Sequence, residues 1–166
     1  MKELELLIIH CTSTPEGRPH TGADIRAWHT SAPPKGRGWK QVGYSDLIHL
    51  RGTVENLVPY DGDNIVQPRE VTNGAVGTNQ KARHVCYVGG MSKDMKKAKD
   101  TRTPEQLEAM KAYVLNMIAK HPQIKVAGHN QFDSRKACPS FDVRSWARSI
   151  GVKDENIYLN DLMYKL

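Results

Sequence analysis

The chain has 166 residues, of which 39% are hydrophobic and 25% charged, with a formal net charge of +6. That length suits one domain with a proper core and is short for two, and the composition excludes a disordered chain. The positive balance favours polyanionic surroundings such as nucleic acid, an anionic cell wall or an acidic membrane surface. No segment approaches the ~20 apolar residues of a membrane span, and the N-terminus reads as neither span nor secretion signal.

In chain order, "LELLIIH" (Leu4–His10) is a short apolar run predicted to be a buried strand ending at His10. A turn follows, then a helix starting near Thr21, whose hydroxyl can cap it while Asp24 occupies the dipole-favoured first turn. Ile25 and Trp28 are expected on its apolar side, and "SAPPKGRG" ends it. "YSDLIHL", a tight Arg-Gly turn and "TVENLVP" read as a hairpin. Residues 60–82 are rich in Gly and Asn and are expected to be an irregular loop bordering a site. "HVCYVGG" (His84–Gly90) is a further strand.

"SKDMKKAKDTR" (Ser92–Arg102) is basic but lacks interleaved aromatics, so it reads as a solvated loop and not as a nucleic-acid footprint. The strongest helix signal is "TPEQLEAMKAYVLNMIAKH". Thr103 and Gln106 make a capping-box pattern with Pro104 at the first helical position, and Leu107, Met110, Val114 and Ile118 are expected on one face. "IKVAGH" is a short strand delivering His129, and "DVRSWARSI" a last short helix. The order predicts a single α/β domain, a central mixed β-sheet flanked by α-helices, over residues 1–151, with 152–166 a tail of unassigned structure.

Two strands thus end in histidine, at His10 and His129, and strand ends are where α/β folds carry their sites. Cys138 lies nine residues after His129, completing a His, His, Cys trio of the kind zinc hydrolases use while keeping one position open for water. Spacing alone leaves rivals open. His84 and Cys86 share one face of their strand and are a competing ligand pair, whereas Cys11 points away from its neighbour His10. Cys11, Cys86 and Cys138 form no disulfide framework.

"IIHCTST", "IRAWHTS", "GWKQVGYSDLIHLRGTVE", "VCYVGG", "TPEQLEAM" and "GHNQFDSRKACPSFD" occur in this order. Together they resemble the zinc-dependent N-acetylmuramoyl-L-alanine amidases of the amidase_2 and peptidoglycan recognition protein superfamily, over almost the whole chain. The resemblance implies that fold, Zn²⁺ as cofactor, and His10, His129 and Cys138 as its ligands. It implies catalytic roles for Tyr44, which orients or helps deprotonate the attacking water, and for Lys136, which faces the developing oxyanion. Ser45 stands where the family has histidine, and a histidine of the middle loop has no equivalent in "TNGAVGTN". Substrate-binding residues are not assigned.

The expected partner is peptidoglycan or a muropeptide, acted on by a monomer that binds neither membrane nor nucleic acid stably. The expected setting is a phage or prophage endolysin, cytoplasmic at synthesis and released to the wall through a holin. Alternatives are a cytosolic muropeptide-recycling amidase, a non-catalytic peptidoglycan-binding module, and a regulator of a phage RNA polymerase.

Overall fold

The computed structural model describes residues 1–160, 163 and 164. Among the described residues, nine strands and three α-helices follow one another as β1 (Lys2–Glu3), β2 (Leu6–Cys11), β3 (Thr14–Pro15), α1 (Gly22–Thr30), β4 (Asp46–Ile48), β5 (Val54–Asn56), β6 (Ile65–Val66), β7 (Ala82–Tyr87), β8 (Gly90–Met91), α2 (Pro104–Lys120), β9 (Lys125–Gly128) and α3 (Val143–Ser149). The main sheet has the order β5-β4-β7-β2-β9. β2 pairs in parallel with both β7 and β9, β4 pairs in parallel with β7, and only the β4–β5 hairpin is antiparallel. The sheet is therefore mixed, as expected. Among the described residues no helix is long and apolar enough to cross a membrane.

β2 is buried on both faces, which is why it reads as a nearly unbroken apolar run. Its side chains alternate. Leu7, Ile9 and Cys11 join Met110, Val114 and Met117 of α2 and Val143 and Ala147 of α3 in the largest core cluster. Leu6 and Ile8 face the other way, packing with Ala75, Ala82, Phe132 and Tyr158. On that second face α1 contributes Ile25, which packs with Leu47, Cys86 and Val88. Helices thus cover both faces, and the even-numbered residues of β2 look toward the α1 side.

The caps form as the sequence indicates. Thr21 Oγ1 accepts the Asp24 amide at 3.2 Å while the Thr21 amide donates to Asp24 Oδ2 at 2.8 Å. The Thr103–Gln106 pair repeats this reciprocal bonding, both bonds at 3.0 Å. Two expected faces shift. Trp28 is 37% exposed, and the buried partners of α1 are Ile25 and His29, four residues apart. On α2 the buried stripe is Gln106, Met110, Val114 and Met117, so Leu107 turns outward at 36% exposure. Gln106 occupies the inward position because its side-chain amide donates to the carbonyls of Ile48 and Val88, at 3.2 and 3.0 Å, between the tips of β4 and β7. Described residues after α3 also pack on the domain. Val152 and Ile157 are buried, and the Ile157 segment bridges to Val126 of β9.

Candidate metal centre and cleft

His10 lies near the C-terminal end of β2, on the α1 side, and His129 opens the single turn that follows β9. Because β2 and β9 are parallel neighbours, their ends carry the two imidazoles to one edge of the sheet, 4.7 Å apart between ring centroids. Cys138 arrives by a loop folded back on that turn. The Asn130 amide donates to the Cys138 carbonyl at 2.8 Å, and the Lys136 amide to the Asp133 carbonyl at 3.0 Å. Further bonds anchor the far side of the loop: Tyr87 Oη donates to the Pro139 carbonyl at 2.7 Å, and Ser140 Oγ to the Gly90 carbonyl at 2.8 Å.

One ligand atom from each of His10, His129 and Cys138 lies within 4.8 Å of the other two, and Cys138 Sγ is 3.7 Å from His10 Nδ1. Tetrahedral zinc, with bonds of ~2.0–2.1 Å to nitrogen and ~2.3 Å to sulfur, holds such donors about 3.3–3.6 Å apart. The His10–Cys138 edge is already near that value, and the widest edge needs a closure of about an ångström. Two imidazoles and a thiol are the donors that borderline-soft zinc takes and that magnesium and calcium avoid. The residues fit the ion.

The local electrostatics keep the imidazoles neutral. Burial pulls His10 well below the usual histidine range, helped by the neighbouring histidines. Burial also takes His129 down to about 4, with the Lys136 cation adding to the effect and Asp133 opposing it. Burial raises the Cys138 thiol. An incoming cation therefore displaces a proton from sulfur and none from the rings.

His129 and Cys138 open into a cleft of about 780 Å³ whose walls include Trp28, His29, Arg37, Trp39, Tyr44, Phe132 and Lys136. The Tyr44 ring lies tilted 5.1 Å from His10 and edge-on 5.2 Å from His29, and Trp39 lies 4.9 Å from His29, with the Arg37 guanidinium 5.0 Å above the Trp39 ring. Tyr44 occupies a loop before β4, and loss of solvation raises its phenol well above its ordinary value. His29 is fixed by the Gly43 amide, which donates to its Nδ1 at 3.0 Å. Lys136 is exposed on the rim, and among the described residues it has no ion-pair partner, whereas adjacent Arg135 is tied to Asp133 at 2.9 Å.

Four of the five site residues expected from the sequence, Tyr44, His129, Lys136 and Cys138, thus border one cleft, and the fifth, His10, is buried against His129 and Tyr44. The rival pair divides. Cys86 is fully buried and bonds to the Tyr87 carbonyl, and His84 contacts His10 without joining the trio. His29, Arg37 and Trp39 on the cleft wall were not singled out from the sequence. For His29 the signal was its position one helical turn beyond Ile25.

A family profile described as N-acetylmuramoyl-L-alanine amidase matches residues 1–141. Among curated proteins, the endolysin of Enterobacteria phage T3 is 32% identical over 142 residues, 86% of this chain and 84% of the relative. The endolysin of Escherichia phage T7 is 31% identical over the same shares. Among solved structures, the amidase LysC from Clostridium intestinale superposes with a TM-score of 0.69 at 21% identity, covering 91% of this chain and 87% of that one. Bumblebee PGRP-SA superposes at 0.65, with 21% identity and coverage of 89% and 82%. At those identities the structural likeness speaks to the fold alone.

Proposed function

Since the chain belongs to the N-acetylmuramoyl-L-alanine amidase family, we propose that it is a zinc-dependent endolysin. The bond it cleaves joins the lactyl group of N-acetylmuramic acid to L-alanine in peptidoglycan. The observation that carries this reading is the convergence of the His10, His129 and Cys138 donor atoms within 4.8 Å at the edge of a cleft that Tyr44 and Lys136 also line.

Zinc, when bound, supplies a Lewis acid that polarises the scissile carbonyl and acidifies water. The chain's own residues do the rest. Neutral His10 and His129 offer lone pairs without competing protons. Tyr44, held between the rings of His10 and His29, orients the attacking water through its hydroxyl. Lys136 brings an unpaired ammonium to the rim, where it meets the negative charge developing on the carbonyl oxygen. The aromatic wall of Trp39 and Phe132 shields the reacting amide from bulk water. We place the action at the cell wall, after release from the cytoplasm through a holin.

Mass spectrometry of products from purified sacculi, with and without chelator, tests the reading. The expected products are peptides with a new amino-terminal alanine and intact glycan strands, with cleavage lost on metal removal and restored by Zn²⁺. Cleaved glycan, or an undiminished rate in fully metal-stripped protein, overturns it.

A further inference from the structure

His84 is fully buried, yet it is not a member of the donor trio. In the β2–β7 register it pairs with Ile8, two residues before His10 and on the same face. From there its Nδ1 lies 2.9 Å from His10 Nε2, with the ring centroids 5.0 Å apart. His10 therefore has its two nitrogens in different company. Nδ1 faces Cys138 Sγ at 3.7 Å, and Nε2 faces His84.

That arrangement fixes where the protons sit. If Nδ1 of His10 offers its lone pair to a cation, the ring's single proton is on Nε2 and is donated to His84 Nδ1. His84 Nδ1 must then be an acceptor, so the His84 proton resides on Nε2. That atom is buried and finds no hydrogen-bond partner among the described residues. An apolar side chain in the same slot would avoid this unpaired donor, so packing alone does not account for histidine here. The surroundings also keep the accepting nitrogen clear. A Cβ at Gly74 would stand 2.3 Å from His84 Nδ1, so the loop passes this point only as glycine. From behind, the His84 amide donates to Ser45 Oγ at 3.2 Å, and the Ser45 amide to the His84 carbonyl at 2.7 Å.

We propose that His84 is a positioning residue for the metal centre: by accepting the Nε2 proton of His10 it sets that ligand's tautomer and ring orientation. The inference rests on metal ligation by His10. Hydrogen-bond partners of this kind raise a ligand's basicity, and their loss typically weakens metal binding roughly 10–100-fold.

The test is the zinc dissociation constant, measured by competition with a chromophoric chelator, in the parent, His84→Phe and His84→Asn proteins. Phenylalanine fills the slot without an acceptor. Asparagine places its Oδ1 where Nδ1 stood, one bond from Cγ. His84→Phe is expected to bind zinc about 10–100-fold more weakly, and His84→Asn close to the parent value. The absorption bands of the Co²⁺-substituted protein should shift only in His84→Phe.

Parent-like affinity in His84→Phe overturns the inference, and so does an equal loss in both variants, which would mark a packing effect. A parent protein that takes up no zinc defeats the metal reading itself, a separate failure. Should the variants not fold, nitrogen NMR of the zinc-loaded parent decides. A scalar coupling between His10 Nε2 and His84 Nδ1 supports the assignment, and a proton on His84 Nδ1 overturns it.

Discussion

Lys136 and Arg135 are adjacent cations with different fates. The Arg135 guanidinium is engaged by Asp133, while the Lys136 ammonium is left for whatever enters the cleft. Lys136→Ala should therefore leave zinc content unchanged and lower kcat by about 10²–10³-fold, the usual cost of removing one donor to an oxyanion. Steady-state kinetics with metal analysis checks both halves. His29 carries a different consequence. Its burial, aided by the Arg37 cation, lowers it to about 4, and its Nδ1 must stay unprotonated to accept from Gly43. The unfolded ring takes up a proton near pH 6.5, and the folded ring refuses it until about 4. The contribution to stability is thus complete above about pH 6.5 and is lost as pH falls toward 4. Urea unfolding across that range should show a shallower decline in His29→Asn than in the parent. At this scale the sequence pointed to the three side chains that the fold brings within 4.8 Å of one another and not to their surroundings. Strand parity put His84 and Cys86 on one face of their strand, but only the parallel register of β2 and β7 says that this is the face of His10 and how close they come.

The elements were easier to read than the faces they present. Thr103, Pro104 and Gln106 announce the start of α2 because capping is a local matter, decided within four residues. Which stripe of α2 turns inward is not local. The apolar periodicity favoured Leu107, yet the carbonyls at the tips of β4 and β7 needed donors, and the Gln106 amide supplies them from the inward position. Thr103→Ala should cost about 1 kcal/mol, as cap losses do. Gln106→Ala removes the reciprocal cap bond and both bonds to the strands, so it should cost more, about 2–3 kcal/mol. Urea titration of the two variants checks the order; a smaller loss for Gln106→Ala would mean that the strand tips are satisfied without it. The short pairs β1–β6 and β3–β8 could not be anticipated, since two residues carry no periodicity to detect.

For the whole molecule the net charge of +6 favours encounter with polyanions, an anionic wall among them. Raising ionic strength from about 0.01 to about 0.15 M shortens the screening length from about 30 to about 8 Å. Turnover of intact sacculi should fall over that range, and turnover of a soluble muropeptide should fall less; parallel rate measurements on both substrates check it. The sheet order has a quieter implication. β2, made early, lies between strands made much later, and the donors on His10 and Cys138 are separated by 128 positions along the chain. A cation gripped by both is a stitch across some three-quarters of the polypeptide, holding closed a loop whose closure costs the chain entropy. The same ion that prepares the chemistry would then also fasten an early-made strand to a late-made loop, so that losing it loosens the scaffold as well as silencing the cleft.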